Sequence, residues 1–291
     1  RCRGRAIPTS APRDFSAAPD AARAPEIEHA ALPGRARAPA TPAARSRAQV
    51  TMRGAVDQVL ILCGGRGTRL QEHTQAIPKP LVEIGGEPIL WHVMQIYAAQ
   101  GIRRFVLCTG YRGELIERFV ADREWPAGVE VTCLDTGLDT PTGGRIHRAA
   151  EALGGAPFCA TYADGVADID LRELIEFHHA HGDLATMTVV RPELQFGVAE
   201  LNGDDRVRGF TEKPRAEQWI NGGFFCFEPG VLDYLGPGDV LERAPLQRLA
   251  ADGALHAYKH TGFWDCMDTY KDAALLNDLW ASGHPPWRVW A

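Results

Sequence analysis

VDQVLILCGGRGTRLQEHTQAIPKPL, residues 56–81, opens on an apolar run and turns at once into glycine. Val59-Leu60-Ile61-Leu62 carries no polar alternation, the pattern of a strand buried on both faces of a parallel sheet. Gly64, Gly65 and Gly67 follow directly, and without Cβ atoms their backbone N–H groups can approach an anion. Neither common phosphate fingerprint fits. G-x-G-x-x-G would need glycine at Leu70, and a Walker loop would need glycine at Arg69 or Leu70 followed by Lys-Ser/Thr. This argues against a dehydrogenase or a P-loop ATPase. Arg69 and Pro78-Lys79-Pro80 instead put two cations beyond one strand end, with the prolines expected to hold Lys79 extended. That arrangement suits a polyphosphate and charge developing on it.

Outward from this stretch, strands and helices alternate. Helical spacing of Ile89, Leu90, Val93, Met94, Ile96 and Tyr97 predicts a helix ended by Gly101. Strands are expected over 104–109, 129–134, 158–162 and 184–190, and helices around 115–120, over 145–153, and over 171–180 with Asp170 as N-cap. This order implies right-handed βαβ crossovers and an α/β fold with a mostly parallel sheet. Beyond Val190, short strands at 197–201, 207–211, 223–227 and 255–259 predict a β-rich subregion built onto that sheet, with a helix near 241–251. A last helix over 269–280 is capped by Asp268 or Thr269.

The 291 residues carry a formal net charge of −6, which argues against a general nucleic-acid binder. No apolar run is long enough for a membrane helix. Residues 1–55 are Arg-, Ala- and Pro-rich and are read as a disordered extension preceding one domain over 56–291. Its composition resembles an organellar leader, but it has no recurring apolar face, and Met52 is a natural alternative start. Five of seven cysteines (Cys63, Cys108, Cys133, Cys159, Cys226) lie in apolar runs with no C-x-x-C pair, the usage of buried, inert thiols in a cytoplasmic protein.

Several separate motifs carry a resemblance. Gly64–Leu70, Pro78-Lys79-Pro80-Leu81-Val82 and Gly85-Gly86-Glu87-Pro88 are similar to the signature of the sugar-1-phosphate nucleotidylyltransferases. Ile89–His92, Thr142-Gly143-Gly144-Arg145, Asp164–Asp168, Ile220–Phe225, Gly262-Phe263-Trp264 and Met267-Asp268-Thr269 resemble the glucose-1-phosphate cytidylyltransferase branch. The resemblance implies a Rossmann-like mixed sheet of the nucleotide-diphospho-sugar transferase fold. It also implies attack of a sugar 1-phosphate, α-D-glucose 1-phosphate above all, on the α-phosphorus of a nucleoside triphosphate, CTP above all. By the same resemblance, Leu62, Gly64, Gly65, Gly67 and Thr68 hold the nucleotide, with Thr109, Gly110, Thr142 and Gly143 near the base. Arg69 and Lys79 face the phosphates, and Lys213 faces the sugar phosphate. Gly197, Glu212, Asn221 and Gly222 contact the hexose. Asp164 and Asp268 match Mg²⁺ ligands, and hard oxygen donors suit that ion. A homo-oligomer is expected.

Two departures stand out: a shortened segment over Glu124–Gly137, and Ala163 where the family has glycine before the aspartate. UTP or dTTP remains the rival to CTP, and a non-catalytic nucleotide-sugar sensor or a plain nucleotide-binding module stays open as another class. Asp168 and Asp170 compete with Asp164, Asp170 more naturally as a helix cap. His178-His179-x-His181 has the look of a metal cluster, but neighbours on a helix diverge by about 100°, so a solvated helix end is expected. Trp91 and Trp219 read as packing residues or pocket walls, and nothing near Cys266 argues for a thiolate.

Overall fold

The computed structural model describes residues 54–67 and 76–290. The expected extension up to residue 53, and with it Thr68 and Arg69, lies outside the described residues. The chain runs β1 (Gln58–Leu62), β2 (Glu83–Ile84), β3 (Glu87–Pro88), α1 (Ile89–Ala98), β4 (Arg104–Thr109), α2 (Gly113–Ala121) and β5 (Glu130–Asp135). It continues through α3 (Thr142–Arg148), α4 (Ala150–Leu153), β6 (Phe158–Tyr162), β7 (Gly165–Ala167), α5 (Leu171–His181) and β8 (Ala185–Val190). Then come β9 (Val198–Leu201), β10 (Val207–Thr211), β11 (Ile220–Phe227), α6 (Ala244–Ala251), β12 (Leu255–Lys259), β13 (Trp264–Cys266) and α7 (Tyr270–Ala281).

Among the described residues, seven strands form one sheet in the order β12-β8-β11-β6-β1-β4-β5. β1 pairs in parallel with β4 and β6, β4 with β5, and β8 with β12. Among the described strands of this sheet, β11 alone runs antiparallel, between β6 and β8. Strand pleating sends alternate residues to opposite faces. Val59, Ile61, Phe105, Leu107, Phe224 and Cys226 therefore join one core with α1, α5 and α7. Leu60, Val106, Cys108, Phe158, Phe225 and Phe227 join the other, under α3 and α6. The expected mostly parallel mixed sheet between helical layers is the observed one.

The differences are local. Of the four strands expected in a β-rich subregion, β11 and β12 enter the central sheet. The run Phe224-Phe225-Cys226-Phe227 is buried throughout and needs cover on both faces. Only β9 and β10 form a separate hairpin. Helix formation begins at Thr142, before the expected Arg145, with extended Pro141 setting the entry. Lys79, expected to be extended, instead opens a single 3₁₀ turn over Lys79–Leu81, preceded by extended Pro78. Asp170 caps α5 by accepting from Glu173 N–H at 3.0 Å. The end of α5 is solvated only in part: His178 is fully buried, with the Thr186 hydroxyl of β8 2.8 Å from its Nδ1, whereas Ala180 and Gly182 are exposed. Among the described residues, no helix is long and apolar enough to cross a membrane.

Candidate active site

Parallel strands leave their carboxyl ends together, and the crevice there is where open α/β sheets bind ligands. β1 ends at Leu62, and Cys63 N–H still donates to Cys108 O at 3.0 Å, so the glycine loop leaves a fixed point. Arg145, from α3, lies beneath it almost fully buried. Its guanidinium donates to Gly64 O at 2.9 Å, Thr109 O at 2.7 Å and Thr136 Oγ1 at 2.6 Å. A Cβ at residue 64 would collide with this guanidinium, so glycine here reflects close packing as well as access for a ligand.

Asp164 sits in the turn between β6 and β7. The three-residue β7 pairs antiparallel with β13, from Gly165↔Cys266 to Ala167↔Trp264. Met267 N–H then donates to Asp164 O at 2.9 Å. This pairing carries Asp268 to Asp164. The cap of α7 is Thr269, in a reciprocal box with Asp272, whose carboxylate also accepts from Asp268 N–H at 3.0 Å. Asp268 is thus held by its backbone, and its carboxylate points elsewhere. Lys79 Nζ donates to Asp164 Oδ2 at 2.5 Å and to Asp268 Oδ1 at 2.6 Å. Burial alone would depress the ammonium's pKa, but the two carboxylates outweigh it and hold Lys79 above its ordinary value.

A cavity of about 300 Å³ opens between the loop and these groups. Leu62, Gly64, Gly65, Gly67, Lys79, Thr142 and Asp164 line it, together with Tyr162 and Arg145. Thr109, Gly110 and Gly143 are not on its wall. Thr109 is fully buried with its carbonyl taken by Arg145, and Gly143 packs against the backbone of Asp239 and Leu241, where a Cβ would lie 2.8 Å from Asp239 O.

The residues expected on the sugar side divide. Asn221 is tied to the first cavity: its Nδ2 donates to Tyr162 Oη at 3.0 Å, and its Oδ1 accepts from Gly223 N–H at 2.8 Å. Gly197 lies against the Glu212 carboxylate at the base of the β9–β10 hairpin. Lys213, in a left-handed backbone conformation (φ 46°), lines a second cavity of about 660 Å³ with Arg191, Arg215, Lys271, Trp219 and Trp264. Trp264 Nε1 donates to Gly222 O at 2.7 Å. Asp168 is 3.0 Å from His260 and stands apart from the Asp164–Asp268 pair.

Asp265, on β13, also faces the second cavity, and burial pushes its carboxyl up to about 6. A carboxyl raised in the folded state binds more protons folded than unfolded, so its contribution to stability declines as pH rises between about 4 and 6. Asp265→Asn is expected to melt higher than the parent at pH 7.5 and to lose that advantage at pH 4; equal melting temperatures at both values would refute the assignment.

The sequence profile of the nucleotidyl transferase family matches residues 58–264. The chain belongs to that family. It is 42% identical over 255 residues to the "Probable glucose-1-phosphate cytidylyltransferase" of Bacillus subtilis, covering 80% of this chain and 100% of that protein. It is 41% identical over 260 residues to the glucose-1-phosphate cytidylyltransferase of Salmonella typhimurium, covering 80% and 99%. The crystal structure of HddC from Yersinia pseudotuberculosis superposes with a TM-score of 0.62 at 24% identity, over 77% of this chain and 100% of that one. That likeness establishes the fold.

In this nucleotidyl transferase, three site residues carry no sign in the sequence of the work they do. Arg145 stands in a motif, but nothing in its neighbours marks it as the loop's support. Tyr162 donates to Glu242 Oε1 at 2.5 Å, and Glu242 Oε2 accepts from Thr142 Oγ1 at 2.7 Å. Burial, then Glu242, push the Tyr162 phenol well above its ordinary pKa, so it remains a donor. Glu242 lies in an irregular segment before α6, where one carboxylate carries no periodic signal. Cys266, beside the acids, is pushed up to about 12 by burial, as expected of an inert thiol.

Proposed function

We propose that the chain transfers the cytidylyl group of CTP to α-D-glucose 1-phosphate, forming CDP-glucose and pyrophosphate. The observation that carries this reading is Lys79 between Asp164 and Asp268 at the rim of a glycine-loop cavity. Two relatives above 40% identity, named for this reaction, support the choice of base and sugar.

The reactants carry roughly −4 and −2 charges, so positioning and charge neutralisation dominate the barrier. The Gly64–Gly67 backbone cradles the triphosphate, and Lys79 donates to its phosphate oxygens. Arg69 is assigned to the same phosphates. The sugar phosphate oxygen attacks the α-phosphorus, the α–β bridge breaks, and its electrons leave on pyrophosphate. Lys213 neutralises the attacking phosphate, supported by the cations that share its cavity. Glu212, Gly197, Asn221 and Gly222 receive the hexose hydroxyls.

The ammonium of Lys79 already stands in for a cation between two carboxylates, and an all-oxygen donor set of this kind fits Mg²⁺. Asp164 and Asp268 would hold that ion, whose charge would offset that of the phosphates. We assign the chain a cytoplasmic, homo-oligomeric role.

The test is incubation with CTP, UTP, dTTP, ATP or GTP, glucose 1-phosphate and Mg²⁺, while pyrophosphate is measured. Release with CTP alone is expected. Equal release with all five would defeat the assignment of the base, and none with any would defeat catalysis.

A further inference from the structure

At the amino ends of β8 and β12, three side chains gather at the opposite end of the sheet from Tyr162. His181 ends α5, Asp183 lies in the following turn, and His256 is the second residue of edge strand β12. Their donor atoms all lie within 4.8 Å of one another. The two imidazoles stack with centroids 4.0 Å apart and planes 10° apart. Both therefore flank one carboxylate: Asp183 Oδ2 is 2.6 Å from His256 Nε2 and 4.0 Å from His181 Nδ1.

A second observation concerns the tautomer. His178 Nε2 lies 3.6 Å from Glu228 Oε1, which favours the proton on that nitrogen. His178 Nδ1 then accepts from the Thr186 hydroxyl at 2.8 Å, and Thr186 Oγ1 accepts from His181 Nε2–H at 2.6 Å. The chain of donors leaves His181 Nδ1 as a lone pair, and it accepts from Asp183 N–H at 3.0 Å. A ligating histidine typically fixes its tautomer in this way, by donating the other ring N–H to an oxygen. His256 lies directly opposite Thr186 in the β8–β12 register, which brings its ring beside that of His181.

We propose that His181, Asp183 and His256 bind zinc or a similar imidazole-preferring divalent transition ion, clamping edge strand β12 to the turn between α5 and β8. Two nitrogens and one carboxylate oxygen match that class of ion, whereas Mg²⁺ prefers an all-oxygen set. Ligand bonds of about 2.0–2.2 Å put tetrahedral donors roughly 3.3 Å apart. Reaching that requires His256 to tilt out of the stack, and both His256 and Asp183 are partly exposed (37% and 44%) and can shift. Water takes the fourth position and the Asp183 N–H left behind. The ligands His178 and His179 would have supplied are not needed: the partners of His181 come from the turn and from β12.

The experiment uses the full chain, stripped with chelator and kept in excess Mg²⁺ so that hard-donor sites are filled. Zinc is titrated while bound metal and melting temperature are followed. One equivalent and a rise in melting temperature are expected in the parent, and Asp164→Asn should retain both. His256→Ala should lose both, and Thr186→Val should weaken binding by ~10–100-fold. Co²⁺ should give the intense visible absorption of a tetrahedral site in the parent and not in His256→Ala. Equal uptake and equal spectra in parent and His256→Ala would overturn the proposal, as would no uptake by the parent.

Discussion

Asp164→Asn and Asp268→Asn will each lower kcat by roughly 10²–10³-fold or more, the scale seen when one preorganised charge-stabilising group is removed. Both folds should survive, since the two carboxylates are 25% and 36% exposed and the backbone bonds that hold them do not use the altered atoms. The double variant should be little worse than either single one, because groups that act as a unit are strongly non-additive. Pyrophosphate release at saturating substrates, beside a melting curve, measures both halves. Parent-like kcat in either single variant would remove that residue from the site. Full multiplication of the two losses would show that the acids act separately.

How far the sequence reached depends on the length over which each feature is written. The buried run Val59–Leu62 and its glycine loop are contiguous, so strand, loop and cavity wall were legible together. Asp164 and Asp268 were legible singly, one by its place after a strand and one by resemblance. Their meeting was not, because it depends on β7 and β13, strands of three residues each, too short for any period to register. Likewise the cap of α7 was ambiguous between two adjacent residues until Asp272 closed the box with Thr269. The strand at 223–227 is legible, but the sequence puts it in the β-rich subregion and not in the central sheet, since burial on two faces specifies neighbours only in kind. His178 reads as solvated for the reverse reason: a polar residue at a helix end carries no local sign of the strand that covers it.

Lys79→Met tests the site from the cation's side. The side chain keeps its length and packing, but two carboxylates that shared an ammonium at 2.5 and 2.6 Å now face one another. Like charges at this range disfavour joint ionisation, so the variant's acids acquire raised pKa values. A raised carboxyl means more protons bound when folded, so the loss of stability should grow as pH rises from 4.5 to 8. The melting temperature at pH 8 should therefore fall well below the parent's, while the two converge at pH 4.5. Mg²⁺ should reverse the deficit, because a cation that binds only the folded state adds about 2.7 kcal/mol at a hundredfold excess over its Kd. Without nucleotide, the parent should respond less, since its own ammonium competes for the same oxygens. Activity should drop by roughly 10²–10³-fold and not return with Mg²⁺, because one ion cannot both fill the carboxylate pair and donate hydrogen bonds to the phosphates as Lys79 does. A variant whose melting temperature ignores both pH and Mg²⁺ would mean that the three groups meet only incidentally, and the reading of this cleft as a cation-assisted transferase site would fall with it.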